Sequence, residues 1–360
     1  RHYGIDVELA RVCSRDPKQA EAHGVSDLFT LDYHDIVNDP DIDIVIELIG
    51  GTTVARDVVV SALEAGKNVV TANKALMATH GEEVMHLAEK MNREIAFEAS
   101  VGGGIPWIAS VEKVRRIDEV TSFSGIMNGT TNYIVDAMRR EGADFFEVLA
   151  EAQRLGYAER DPSADIDGID VANKTIISAS VAFDVACEKD LPVTGIRNLR
   201  KSDLDLLAGC GRTAKLLGRG VCRDGRYAAA VEPVAVSLDS LEASVPSNFN
   251  LVTLDATTVG ELRFYGQGAG SLPTGNAIVQ DVLDCVRGVR RPAYDFSRGL
   301  AWDPELLRSD HVFRTDATIP GSEPFAPGAV VVRDVTAAEA RALLDAALEV
   351  DPTTFMAALA

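Results

Sequence analysis

No run of basic residues interrupts this 360-residue chain, in which Asp and Glu outnumber Lys and Arg by 55 to 35 for a net charge of −20. Such a surface repels polyanions, which excludes nucleic acid as the expected partner. Nor is there an uncharged apolar stretch of the roughly 18 residues a membrane span requires, so no membrane partner is expected. Cysteine is sparse and unpatterned: Cys13, Cys187, Cys210, Cys222 and Cys285 are odd in number and show no C-x-x-C. That usage argues against a disulfide framework or a structural zinc site and fits a reducing, cytoplasmic setting. The six histidines are scattered outside any motif, which leaves histidine-based catalysis without support. Repeats and low-complexity tracts are also missing. What remains is an ordinary globular composition, 46% apolar, over a length that allows two or three cores.

Up to about residue 105, strand-like and helix-like runs alternate. VELARVCS (7–14), DIDIVIELIG (41–50), KNVVTAN (67–73) and EIAFEAS (94–100) read as strands. TVARDVVVSALEAG (53–66) and GEEVMHLAEKMN (81–92) read as helices. Strands separated by helices of about a dozen residues form a parallel sheet, with ligands at the strands' carboxyl ends. Those ends carry Ser14-Arg15, Gly50-Gly51-Thr52-Thr53, Ala72-Asn73-Lys74 and the glycine-rich stretch up to Gly104. No strand and glycine loop precede residue 5, so the chain is expected to begin partway into a domain. From 106 to 275 the pattern turns α+β, with strands EVTSFSGIMN, YAAAVEPVAVSL and GELRFYG and helices near 145–156 and 169–187. A helix over 276–287 is expected to return to the first domain. Residues 290–360 read as a small α+β module with two strands and one helix. The fold class is thus α/β: a Rossmann-type parallel-sheet nucleotide-binding domain over 1–105, an α+β catalytic and dimerisation domain, and that C-terminal module.

The densest chemistry lies at 156–174, GYAERDPSADIDGIDVANK, where Glu159, Asp161, Asp165, Asp167 and Asp170 precede an apolar helix. Ser163, Asp165, Asp167 and Gly168 match positions of a calcium loop, but Lys174 occupies the place of its bidentate glutamate, which excludes that reading. Asp170 and Lys174 are four residues apart and share a helix face. A surface ion pair is the simplest account, but the apolar helix around them favours burial, where a lysine must be paired or used. Asp161 and Asp167 sit in Asp-Pro and Asp-Gly contexts that make turns.

Five segments in order resemble homoserine dehydrogenases: VVTANKALMA (69–78), FEASVGGGIP (97–106), SGIMNGTTNYI (124–134), the acidic segment and GQGAGSLPTGNAIVQDV (266–282). The resemblance covers about residues 5–287. It implies an oxidoreductase interconverting L-aspartate 4-semialdehyde and L-homoserine, in the biosynthetic branch to threonine, methionine and isoleucine, working as a homodimer on a small amino acid substrate. It assigns Lys174 as the general acid/base. A free lysine ammonium, with a pKa near ~10.4, is a poor donor at neutral pH; burial lowers it and carboxylates raise it. Glu159, Asp165 and Asp170, with Gly129 and Thr130, are placed around the substrate. Asn128 and Thr131 are expected to shape the turn and cap the following helix.

For the cofactor, the resemblance points to Thr52, Thr53 and Lys74, and to Gly268 and Gly270 in a loop that departs from G-x-G-x-x-G at Ser271. It also implies a structural sodium ion on main-chain oxygens around Glu98, Val101, Gly103 and Ile105, where a bend without metal is the alternative. The family's principal phosphate loop is expected upstream of Arg1. Arg15 stands where an NAD enzyme carries an acid for the ribose hydroxyls, so NADP(H) is expected over NAD(H). Residues 290–360 lack the strand–helix order of a threonine-sensing domain, so a packing or oligomerisation role is expected there. Another dehydrogenase of small aminated aldehydes, or a non-catalytic derivative of the fold, are the competing readings.

Overall fold

The structure is a computed structural model that describes residues 4–360. The chain divides into two compact units, residues 1–100 with 274–295 and residues 101–273 with 296–360.

In the first unit, β1 (Val12–Cys13) pairs in parallel with β2 (Phe29–Thr30), and α1 (Pro17–Ala22) and α2 (His34–Val37) follow these two strands in turn. A second parallel sheet orders β3 (Ile44–Glu47), β4 (Asn68–Thr71) and β5 (Ile95–Ala96), connected by α3 (Val54–Glu64) and α4 (Lys74–Lys90). The strands are thus parallel as expected but form two sheets, because no strand among the described residues pairs with both β1 and β3. The first strand is also far shorter than its apolar run: Val7 and Leu9 are exposed and outside it. Conversely α4 begins earlier than its periodicity indicated. Asn73 caps it by accepting from the Leu76 amide, which makes Lys74 its first residue.

In the second unit, α5 (Trp107–Arg115) leads to β6 (Val120–Ile126), α6 (Gly129–Glu141), α7 (Phe145–Arg154), the short α8 (Ser163–Ile166), α9 (Ile169–Phe183) and α10 (Lys201–Ala208). Strands β7 (Arg212–Arg223), β8 (Arg226–Ser237), β9 (Phe249–Ala256) and β10 (Gly260–Gln267) follow, with α11 (Leu241–Ser244) between β8 and β9. Then come α12 (Ser271–Val286), β11 (Ala301–Trp302), β12 (Arg308–Arg314), β13 (Glu323–Ala326), β14 (Ala329–Thr336), α13 (Ala337–Leu348) and β15 (Phe355–Leu359). From Thr274 onward α12 clusters with the first unit, where Val282 and Cys285 pack on Val70 and Ala96.

One sheet runs β10-β9-β6-β7-β8-β15-β12-β14-β13, with β11 beside β8. The strands of residues 290–360 therefore do not stand as a separate sheet: β15 pairs in parallel with β8, at Ala358 to Val234, and 296–360 cluster with the second unit while 290–295 fall in the first. The tail keeps a cluster of its own, in which Phe313, Ala340, Leu344 and Met356 are buried. β7 and β9 escape the sequence reading, as do β13 and β15. β7 is disguised by Lys215, Arg219 and two glycines that each admit a neighbour: a Cβ at Gly218 would lie 2.1 Å from Thr175 Oγ1, and one at Gly220 2.2 Å from the Phe123 ring.

Helix α9 lies against β7 at Gly218, buried along Val171, Ile176, Ile177, Val181 and Phe183. Each such side chain contributes about 1.5–3 kcal/mol. The helix stops at Asp184, which adopts φ +55 rather than extending to 187. No helix among the described residues is long and apolar enough to cross a membrane.

Candidate functional site

In the second unit, β6 delivers Met127 and Asn128 to the start of α6. The Asn128 carbonyl oxygen of the side chain caps that helix by accepting from the Thr131 amide at 2.8 Å. Its Nδ2 donates to Asp165 Oδ1 at 2.6 Å and to Asp170 Oδ2 at 2.9 Å. One asparagine thus ties α6 to two carboxylates on α8 and α9. Sequence reasoning assigned it only the cap, since nothing local in NGTTNYI shows partners more than thirty residues away.

Asp170 lies in the first turn of α9, where the helix dipole favours an acid, and is 5% exposed. Lys174, 7% exposed, donates from Nζ to Asp170 Oδ2 at 2.8 Å and to the Met127 carbonyl at 2.7 Å. An ammonium has three protons. Two are placed by these bonds, and the third has no acceptor among the described residues.

Asp165 is half-buried beside this pair. Burial pushes its carboxyl above the usual range and Asp170 adds to the shift, against the opposing pull of Asn128, Lys174 and Thr130. Thr130 is buried and donates to the Tyr157 carbonyl at 2.5 Å. Gly129 opens α6 with no room for a side chain, since a Cβ would meet the Asn248 carbonyl at 2.7 Å. Lys174, Asp170, Asp165, Asn128, Thr130 and Gly129 therefore form one corner. Glu159 is exposed, and its carboxylate has no hydrogen bond or ion pair among the described residues. Asp161 closes a turn by accepting from the Ser163 amide. Asp167 forms a two-bond ion pair with Arg197, both bonds 2.6 Å. These two are turn and surface groups, as their neighbours in sequence indicate.

The first unit assembles a second group of residues at the carboxyl ends of β3 and β4. Gly50 and Gly51, at φ +79 and +72, form a turn that no β-carbon would tolerate easily. Glu47, hidden in an apolar strand and missed by sequence reasoning, is buried and accepts from the Ile49 amide at 2.6 Å and from Thr71 Oγ1 at 2.7 Å. Asn73 Nδ2 donates to the Gly51 carbonyl at 2.8 Å. This framework holds Thr52 and Thr53 at the entrance to α3, and Lys74 at the first turn of α4. Arg15 is exposed two residues beyond β1 and has no ion pair among the described residues, while neighbouring Asp16 is committed to capping α1.

Gly268 and Gly270 lie between β10 and α12. Gly270 has φ +121, and a Cβ at Gly103 would sit 2.6 Å from the Gly268 carbonyl. The side-chain amide of Asn250, buried with both polar atoms unpartnered, presses on Gly268. Close packing within the second unit thus accounts for glycine at 103 and 268 without a ligand. Of the residues around the expected cation, Glu98 falls in the first unit, buried, with its amide donating to Asp281 at 2.9 Å. Val101, Gly103 and Ile105 fall in the second, all buried. Among the described residues no cluster of three His, Cys, Asp or Glu side chains is arranged for a metal.

Residues 106–283 match the family model described as homoserine dehydrogenase, and residues 1–98 match the model of that enzyme's NAD-binding domain. The homoserine dehydrogenase of Pseudomonas aeruginosa is 39% identical over 312 residues, covering 86% of this chain and 71% of that protein. That of Corynebacterium glutamicum is 41% identical over 298 residues, covering 79% of this chain and 65% of that protein. The alignments thus span 65% to 71% of these two relatives. A solved homoserine dehydrogenase from Thiobacillus denitrificans has a TM-score of 0.86 at 32% identity, covering 98% of this chain and 90% of that one. One from S. aureus has a TM-score of 0.76 at 27% identity, covering 99% and 90%.

Proposed function

Because the chain belongs to the homoserine dehydrogenase family, the NAD(P)-dependent oxidoreductases that act on a CH–OH group, we propose that it interconverts L-aspartate 4-semialdehyde and L-homoserine, with NADP(H) preferred over NAD(H). The observation that carries this reading is the third, uncommitted proton of Lys174. A bound nicotinamide cofactor would supply hydride for the aldehyde carbon. Lys174 Nζ gives its free proton to the carbonyl oxygen as the C=O double bond becomes C–O–H, and takes it back in the oxidative direction. Asp170 and the Met127 carbonyl fix the direction of that proton. Asp165 and Glu159 provide counter-charge for the substrate's ammonium, and Gly129 and Thr130 line its backbone.

The test is NADPH oxidation with aspartate semialdehyde, wild type beside Lys174→Ala. A fall in kcat of about 10²–10⁴-fold is expected for loss of a general acid; full activity in the variant removes Lys174 from the mechanism.

Arg15 supports the NADP(H) preference, because a guanidinium pairs with a 2′-phosphate where an acid would bind ribose hydroxyls. Fluorescence titration should give tighter binding of NADPH than of NADH, with Arg15→Ala narrowing the gap; tighter NADH binding rejects the preference. Within the second unit, the main-chain carbonyls of Val101, Gly103 and Ile105, all buried, are hard oxygen donors of the kind that suit a sodium ion. The edge strand β10, alternating exposed and half-buried residues, supports assembly into a homodimer through this sheet. Five free thiols suit a reducing cytoplasm.

A further inference from the structure

Asn128, Asn132 and Asp136 are spaced four apart and fall on one side of α6. The first serves the corner described above. The other two face the segment 245–249, which runs from the end of α11 into the first residue of β9. Asn132 Nδ2 donates to the Ser247 carbonyl at 2.8 Å and the Phe249 carbonyl at 3.2 Å, with the Val245 carbonyl at 3.3 Å. Asp136 Oδ2 accepts from the Ser247 amide at 2.8 Å. Ser247 itself has φ +51, a conformation a non-glycine residue adopts only when its surroundings enforce it.

Behind this clamp stands Lys215 near the start of β7, 1% exposed. Its Nζ donates to Asn132 Oδ1 at 2.7 Å and to the Val245 carbonyl at 3.0 Å. Burial lowers its pKa to about 8, against the opposing attraction of Asp136. A lysine held in a sheet at that expense, with no carboxylate bonded to it, orients Asn132: it occupies the amide oxygen and leaves Nδ2 aimed at the loop. The loop in turn abuts the substrate corner, since the Asn248 carbonyl is what leaves Gly129 no room for a β-carbon.

We propose that Lys215 is a positioning residue for the amino acid substrate, acting through Asn132 and the main chain of 245–249 to seat Gly129 and Thr130. This rests on the reading of the second unit's corner as the substrate site. Lys215 touches no reacting atom; it sets where the start of α6 lies.

The test uses the full chain with Lys215→Met and, because an apolar residue there could unfold the sheet, with Asn132→Asp. The latter keeps an acceptor for Lys215 and removes the donors to the loop. Both variants are expected to raise KM for aspartate semialdehyde about tenfold while kcat and KM for NADPH change less than about threefold, the signature of lost ground-state positioning. Hydrogen exchange should accelerate in 245–250 and at the start of α6 but not along α9. An unchanged aldehyde KM, or kcat and both KM values shifting together, overturns the proposal. If the wild type does not turn over aspartate semialdehyde, the functional reading fails, and exchange alone decides whether Lys215 controls the loop and Gly129. Exchange unaltered at both places in Asn132→Asp sinks it.

Discussion

At Asp165, burial and the nearby charge of Asp170 hold the carboxyl above its ordinary range. An acid whose native pKa exceeds its unfolded value binds protons more tightly when folded. Its contribution is therefore favourable at low pH and is lost as pH rises through that window, so at neutral pH the ionised group opposes folding. Asp165→Asn keeps an acceptor for Asn128 and removes that charge. Its melting temperature at pH 7 should exceed that of the wild type, with the difference shrinking on acidification. Its KM for aspartate semialdehyde should rise about tenfold, since the counter-charge is gone. A variant no more stable than the wild type at pH 7 would show that the carboxylate is already fully compensated. The site was legible in the sequence where its partners are local: the four-residue spacing of Asp170 and Lys174 gives their ion pair, and the apolar helix around them its burial, while their role came from the resemblance. Asn128 and Glu47 did not, because each works through residues brought in from other elements. Glu159 illustrates the converse, a motif residue that the fold leaves exposed.

Among the elements, α9 and β7 meet so closely that each constrains the other's sequence. Thr175, next to Lys174, has a buried hydroxyl without a partner, directed at the space above Gly218. Gly218→Ala should cost about 1–3 kcal/mol from overpacking and lower kcat, because the displaced helix carries the proton donor. Thr175→Ala removes the obstructing oxygen. In the double variant both stability and kcat should recover, a coupling that thermal melts and a double-mutant cycle would measure; purely additive losses would place the strain elsewhere. The same contacts explain which elements could be read in advance. α3, α7, α9 and the later part of α4 follow from periodicity, whereas β7 hides behind Lys215, Arg219 and glycines whose purpose lies on neighbouring elements. β15, FMAAL, is too short and too rich in alanine to declare itself as a strand.

Over the whole molecule, the second unit depends on a polar joint between its two stretches of chain. Glu232 of β8 is buried between Arg219 and His311, whose Nε2 is 2.9 Å away. Burial alone would raise this carboxyl, but Arg219 and His311 outweigh it and hold it below its usual range. A depressed acid stabilises the fold above its unfolded pKa and loses that contribution as pH falls through the native value. His311→Leu strips one partner from a buried charge and should cost about 3 kcal/mol, measurable as a lower denaturant midpoint. Unchanged stability would mean that Arg219 alone suffices. The parallel pairing of β8 with β15 carries a further consequence, for the order of events at the ribosome. β7 and β8 can join as a hairpin as soon as both are made, but on β8's other edge Val234 and Ala235 must wait for more than a hundred further residues before β15 covers them. During that interval this apolar end of β8 stands open to other nascent chains. Crowded synthesis is then a condition that exposes this protein to aggregation, and slowing translation between β8 and β15 should lower its soluble yield.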